Sequence, residues 1–101
     1  MKHRDPSRYE FKIICEVERA RTVLDELETT AQARRAYAEI VTIHAARDLS
    51  NHIEQLLPTL RRAFGFASLK ITRDVEVARK QLNAWIARLL ATLLESNSMA
   101  S

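Results

Sequence analysis

Three side chains near the middle of the chain have the types and spacing to hold a metal ion or move a proton: His44, Asp48 and His52. On a helix they stand at i, i+4 and i+8, on one face. Neighbours four apart can share an ion, as imidazole nitrogens and carboxylate oxygens do in metal sites. The two histidines would be about 12 Å apart along the axis. One ion could therefore take only two of the three and would need further ligands from another helix or a second copy. The simpler expectation is that Asp48 pairs with one histidine, or with Arg47, at a solvated edge. Cys15 is the chain's one cysteine, which excludes an internal disulfide and a cysteine-based metal centre. It is expected to be a small buried apolar residue.

Arg47-Asp48-Leu49-Ser50-Asn51-His52 resembles the R-x4-H motif of HEPN-type ribonucleases, all-helical proteins in which dimerisation brings two such motifs together. The resemblance covers six residues, with Asp48 where that family often has Asn. It implies metal-independent cleavage of RNA, with Arg47 holding phosphate and His52 serving as acid and base. Elsewhere the sequence has no Gly-rich phosphate loop, no nucleophile elbow, no metal quartet and no paired carboxylates marking a cleft. An enzyme needs convergent polar groups in a pocket. By elimination no catalytic residue, no cofactor and no metal is assigned, and a binding protein is expected.

The net charge is +3 and uneven. Residues 1–28 carry six Lys/Arg against seven Asp/Glu, and residues 29–71 six against three. Twelve of the sixteen cations are Arg, the residue suited to bidentate contacts with carboxylate or phosphate. Arg61, Arg62, Lys70, Arg73, Arg79 and Lys80 could form a basic patch around Phe64-Gly65-Phe66, a composition compatible with nucleic acid. The plainer reading has the two phenylalanines packed on the helix layer. A dimeric β-ribbon is a second route to DNA, but its polar face would carry Glu10, Glu16 and Glu18 against Lys12 and repel phosphate. No run of five like charges occurs, and no helix-turn-helix is legible.

The elements that must position these groups follow from a shortage of turn residues. The chain has one glycine, Gly65, and two prolines, Pro6 and Pro58, with 51 residues between the prolines. Few turns mean a few long elements, which argues for helices. Residues 1–6 read as a disordered basic arm, 7–96 as one helical domain and 97–101 as a disordered tail. Nothing in the first residues resembles a signal peptide, and no run of 18 apolar residues would span a membrane.

Ser7-Arg8-Tyr9-Glu10 fits a capping box, opening a helix with the stripe Ile13, Val17, Ala20, Leu24, Leu27. A competing pattern favours a strand over 9–17. Tyr9, Phe11, Ile13, Cys15 and Val17 alternate with Glu10, Lys12, Glu16 and Glu18. Its partner would be 66–72 or the same strand of a second chain. Thr29-Thr30-Ala31-Gln32 offers another capping box, so the next segment is either broken there or continuous. Its later stripe is Tyr37, Ile40/Val41, Ala45, Leu49, Ile53, Leu56 and Leu60. Pro58 is expected to end or kink that helix. A short helical turn over 59–64 follows, with Gly65 in a left-handed conformation. Thr72 caps the last helix, whose apolar positions are wider than a single seam.

The expected fold is mainly α, with two or three long helices, one short one and an N-terminal strand at 9–17, forming a homodimer. Leu82, Trp85, Ile86, Leu89, Leu90, Leu93 and Leu94 supply its core plus a dimer or partner interface. The expected function is a small cytoplasmic regulator that binds another protein through an apolar helix face rimmed by Arg. In size and style it is similar to bacterial antiactivators that sequester a transcription factor and to phage-encoded inhibitors. The other reading is a dimeric nucleic-acid-binding regulator, with Arg61, Arg62, Arg73, Arg79 and Lys80 as its contact surface.

Overall fold

Six residues of the first helix, Ile13, Val17, Ala20, Leu24, Leu27 and Ala31, recur at alternating steps of four and three, and all six are buried. That period belongs to a helix face and to no strand. The computed structural model describes residues 6–95. Helix α1 runs over Pro6–Ala33, α2 over Tyr37–Arg62 and α3 over Gly65–Leu90, with α3 prolonged by a π-helical turn at Ala91–Glu95. There is no strand among the described residues. Residues 1–5 and 97–101, expected as arm and tail, lie outside the described residues, and Pro6 opens α1.

The strand expected at 9–17 is thus corrected to helix. The alternating set is not a buried set: Ile13 and Val17 are buried, Tyr9 and Cys15 are half-buried, and Phe11 faces solvent. The helical stripe extends to Ala31, whereas the alternation stops at Val17. A helix also satisfies its own backbone groups, which a lone strand leaves unpaired. The same correction applies to 66–72, which forms the first turns of α3. Thr72 is no cap. Its hydroxyl donates to the Ser68 carbonyl at 2.9 Å, inside the helix. Glu10 is the acceptor of Arg61 of α2, 2.9 Å away.

At Thr29-Thr30 the helix is continuous. Both hydroxyls donate to carbonyls four residues back, those of Asp25 and Glu26, the pattern of Thr within a helix. The turn falls later and without glycine. Ala36 N–H bonds the Ala31 carbonyl at 2.8 Å and Arg35 N–H bonds that of Gln32 at 3.1 Å. This is a Schellman motif with Arg35 at the left-handed position, φ 58°. Ala31 is buried in the core cluster and the half-buried Ala36 packs against that cluster. Pro58 lies inside α2, which runs on to Arg62 instead of ending there. Proline this close to the C-terminus removes one helical hydrogen bond, and the Arg61–Glu10 pair ties the final turn to α1. Gly65 has the expected positive φ, 57°, and begins α3 after the extended Phe64.

The three helices run up, down and up. Glu10 meets Arg61 at one end of the α1–α2 pair and Glu28 meets His44 at the other, so these helices are antiparallel. Tyr9 bonds Glu76, and Arg34 bonds the Leu93 carbonyl, so α1 and α3 run in the same direction. Helix α2 is central and packs on both neighbours along their lengths, whereas α1 and α3 meet over less. The result is elongated, with extents of 55 × 24 × 16 Å. Ile43, Ala46, Ile53 and Leu57 of α2 share one core with Val75, Ala78, Leu82, Leu89 and Leu93 of the α3 segment and with the buried stripe of α1. No helix of the described residues is long and apolar enough to cross a membrane.

Candidate interaction surface

Several of the polar residues that could do chemistry, His44 and Arg47 among them, hold helices together. His44 Nε2 lies 3.2 Å from Glu28 Oε2, and Arg47 binds both Glu28 and Asp25 at 2.5 Å. These bonds, Arg47 first and His44 second, hold the Glu28 carboxyl below the usual carboxylate range. Asp48 and His52 are exposed on α2. No group of three side chains placed to hold a metal ion, that of His44, Asp48 and His52 included, exists among the described residues. The R-x4-H residues diverge as well. Arg47 and His52 are about 140° apart around the helix, and the Arg47 guanidinium is turned to α1.

Two members of the expected basic patch are cross-helix clamps. Arg61 reaches both oxygens of Glu10, at 2.9 and 3.0 Å. Arg79 is fixed between Glu16 of α1, at 2.8 Å through two nitrogens, and Glu76 of its own helix, at 2.7 Å. Tyr9 donates to the same Glu76 at 2.5 Å. Burial, and then this bond beside an anion, pushes the Tyr9 hydroxyl up to about 12. Tyr9 in turn, with help from Arg79, lowers the Glu76 carboxyl. Arg21 bonds Glu54 at 2.9 Å and Asn51 at 2.6 Å, which lowers the Glu54 carboxyl. Arg61 and Arg79 therefore do not join Arg62, Arg73 and Lys80 in one free cationic surface. The last three are exposed, and Lys70 pairs with Asp74 at 3.4 Å.

The apolar face expected to receive a partner is largely the bundle's own core. Leu82, Leu89 and Leu93 are at most 3% exposed. Trp85, Ile86 and Leu90 are half-buried against them. Leu94 alone of that set is mostly in solvent, at 54%.

The large apolar side chains left in water are elsewhere. Phe64 is 86% exposed, Phe66 89% and Leu69 66%, all at the α2–α3 corner. This corrects the expectation that the phenylalanines pack on the helix layer. The cause is a stagger. Tyr9 is the fourth residue of α1, yet it bonds Glu76, the twelfth of α3. The first turns of α3 therefore extend past the start of α1 and, among the described residues, have only α2 beside them. Between Arg61 and Arg73 the sequence holds four cations and no carboxylate.

From this corner an exposed stripe continues along α3. On a wheel of about 100° per residue, positions within about 60° of Arg73 form its outward face. The face carries the cations Lys70, Arg73, Lys80 and Arg88 and the apolar side chains Phe66, Leu69 and Val77, all exposed. Toward the C-terminus it becomes small, with exposed Ala84, Ala87 and Ala91. Two carboxylates border it: Glu76, held by Tyr9 and Arg79, and Asp74, which pairs with Lys70 at 3.4 Å. Beside it, Ala38, Glu39 and Thr42 of α2 with Arg88, Leu89 and Thr92 line an open depression of about 250 Å³. Cys15, expected to be buried, is half-buried on α1.

No family model, no curated protein and no solved structure matches this chain.

Proposed function

We propose that this is a small non-enzymatic regulatory protein that binds and sequesters or modulates another protein, in the manner of an antiactivator or inhibitor, in the cytoplasm. The observation that carries the reading is the exposure of Phe64 and Phe66, 86% and 89%, on one corner with Leu69. Contiguous exposed apolar side chains rimmed by polar ones mark interaction sites. Aromatic and Arg side chains supply most of the energy in such contacts. The engagement of Arg21, Arg47, Arg61 and Arg79 with carboxylates of the same chain agrees with a scaffold role for the polar groups. The partner-binding surface moves from the core-forming Leu82, Leu89 and Leu93 to this corner and the outward face of α3.

Self-association accompanies this reading. At the opposite end of the bundle Tyr37, Val41 and Leu94 are exposed apolar residues suited to a second copy. A mass measurement in solution, with Leu94→Asp beside wild type, tests the homodimer: loss of dimer in the variant supports it, and a monomeric wild type ends it.

A nucleic-acid-binding regulator has one observation in its favour, the exposed Arg62, Arg73 and Lys80. Affinity capture with tagged protein from lysate of the native host, with and without nuclease, separates the two readings. Survival of a defined protein through nuclease and moderate salt supports the regulator. Enrichment of DNA or RNA, or of proteins that vanish with nuclease, reverses the order.

A further inference from the structure

We propose that the outward face of α3 docks an acidic amphipathic helix of the partner protein. The proposal rests on the protein-binding reading above and specifies the chemistry of the partner segment. Residues 66–91 extend about 38 Å along the helix axis, enough to lie against a helix of five or more turns. The charge on this face has one sign. Lys70, Arg73, Lys80 and Arg88 are exposed; of the bordering carboxylates Glu76 is occupied within the bundle and Asp74 pairs with Lys70, which leaves Arg73, Lys80 and Arg88 without an ion pair among the described residues. A partner that neutralises them is an anion along its length.

The apolar content decides which anion. Phe66, Leu69 and Val77 stand among these cations 89%, 66% and 61% exposed; an aromatic ring can stack on a base, but the aliphatic Leu69 and Val77 gain nothing from a phosphodiester backbone, which is charged throughout. Ala84, Ala87 and Ala91, at i, i+3 and i+7, form a flat floor onto which a second helix can pack closely. The face thus offers large anchors at one end, a close-approach floor at the other and cations along both. The complement is a helix with small or aliphatic residues in its seam and Glu or Asp at the flanks. A second copy of this same face is excluded as the occupant, because it would oppose cation to cation.

The test is a displayed library of helical peptides of about 20 residues, randomised at every position. It is sorted against the tagged full-length protein at roughly 0.15 M salt. The triple variant Arg73→Glu, Lys80→Glu, Arg88→Glu serves for counter-sorting. All three positions are exposed, so the fold is retained, and circular dichroism checks that it is. The expected pool is net acidic with apolar residues at helical spacing. Its members bind the triple variant about tenfold or more weakly, a loss of about 1.4 kcal/mol or more. Ala87→Trp, which changes no charge and fills the floor, weakens them as well. A pool without acidic bias, or with equal affinity for the triple variant, overturns this inference and leaves the protein-binding reading standing, since affinity capture reports on that separately. Tighter binding to a 20-base-pair duplex or to phosphatidylserine vesicles than to any sorted peptide overturns both.

Discussion

The Tyr9 hydroxyl donates to a carboxylate oxygen of Glu76 at 2.5 Å and so ties the start of α1 to the first half of α3. Its neutral form is favoured in the fold, with burial the largest cause, so the folded hydroxyl titrates at about 12 against the ordinary 10.0. A folded value above the unfolded one means a contribution to stability that is complete below pH 10 and is lost as pH rises toward 12. The ultraviolet phenolate signal of wild type minus that of Tyr9→Phe should have its midpoint near 12. A midpoint near 10 would show that the bond is absent.

The acid side has the opposite sign. Glu28, Glu54 and Glu76 all lie below the ordinary carboxyl value of 4.5, through Arg47, Arg21 and Tyr9 respectively. Their contributions are present above that value and are lost as pH falls through the depressed folded values. The urea midpoint is therefore expected to fall on acidification below about pH 4.5, and to fall less in Arg21→Ala. Parallel acid profiles in the two proteins would contradict the Arg21–Glu54 pair.

Glu10 is buried, and Arg61 is its partner through two nitrogens. Removing Arg61 strands a carboxylate at the α1–α2 seam. Arg61→Ala should cost about 1–2 kcal/mol, below the range for a fully buried pair because the guanidinium is largely in water. Glu10→Gln in the same background should recover part of that loss, as measured by equilibrium urea unfolding.

Arg35 occupies a left-handed conformation at φ 58° with no glycine to relieve it. Arg35→Gly should stabilise the protein by about 0.5–1 kcal/mol, the left-handed penalty being partly offset by glycine's freedom in the unfolded chain. At this chain length that is a rise in Tm of several degrees, about 4–8 °C per kcal/mol. An unchanged or lower Tm would count against the Schellman turn.

Leu89 and Leu94 separate core from surface within one helical end. Leu89 is 3% exposed and Leu94 54%. Leu89→Ala should cost about 2–4 kcal/mol, and Leu94→Ala less than about 0.5 kcal/mol in the monomer. A thermal scan at low protein concentration reads both, and equal costs would place Leu94 in the core.

What was legible in the sequence was the helical period. Ile13, Val17, Ala20, Leu24 and Leu27 marked α1's buried face, and Ala78, Leu82 and Leu89 marked α3's. The ambiguity at 9–17 arose because a helical stripe and an alternation share Ile13 and Val17 there. Only the packing of α2 decides which neighbours are covered. The turn at Arg35 carried no signal, since a Schellman turn without glycine has no distinctive composition. The start of α3 is not legible because 66–72 has just one residue packed on the core, Ile71, which leaves Thr72 looking like a cap.

The candidate surface was harder to read for a physical reason. Arg61 and Arg79 look free in sequence because their carboxylate partners are 51 and 63 residues away. Phe64 and Phe66 look like core residues because nothing local reveals the stagger that leaves them uncovered.

The central claim is that exposed apolar residues at the α2–α3 corner bind a protein. Its most direct test is nuclease-treated affinity capture with wild type and Phe64→Ser/Phe66→Ser side by side, the bound proteins quantified by mass spectrometry. Both positions are exposed, so the variant keeps its fold. A defined partner that wild type retains and the variant loses by roughly tenfold or more is the predicted result. Equal capture by both proteins, or capture that disappears with nuclease, would contradict it.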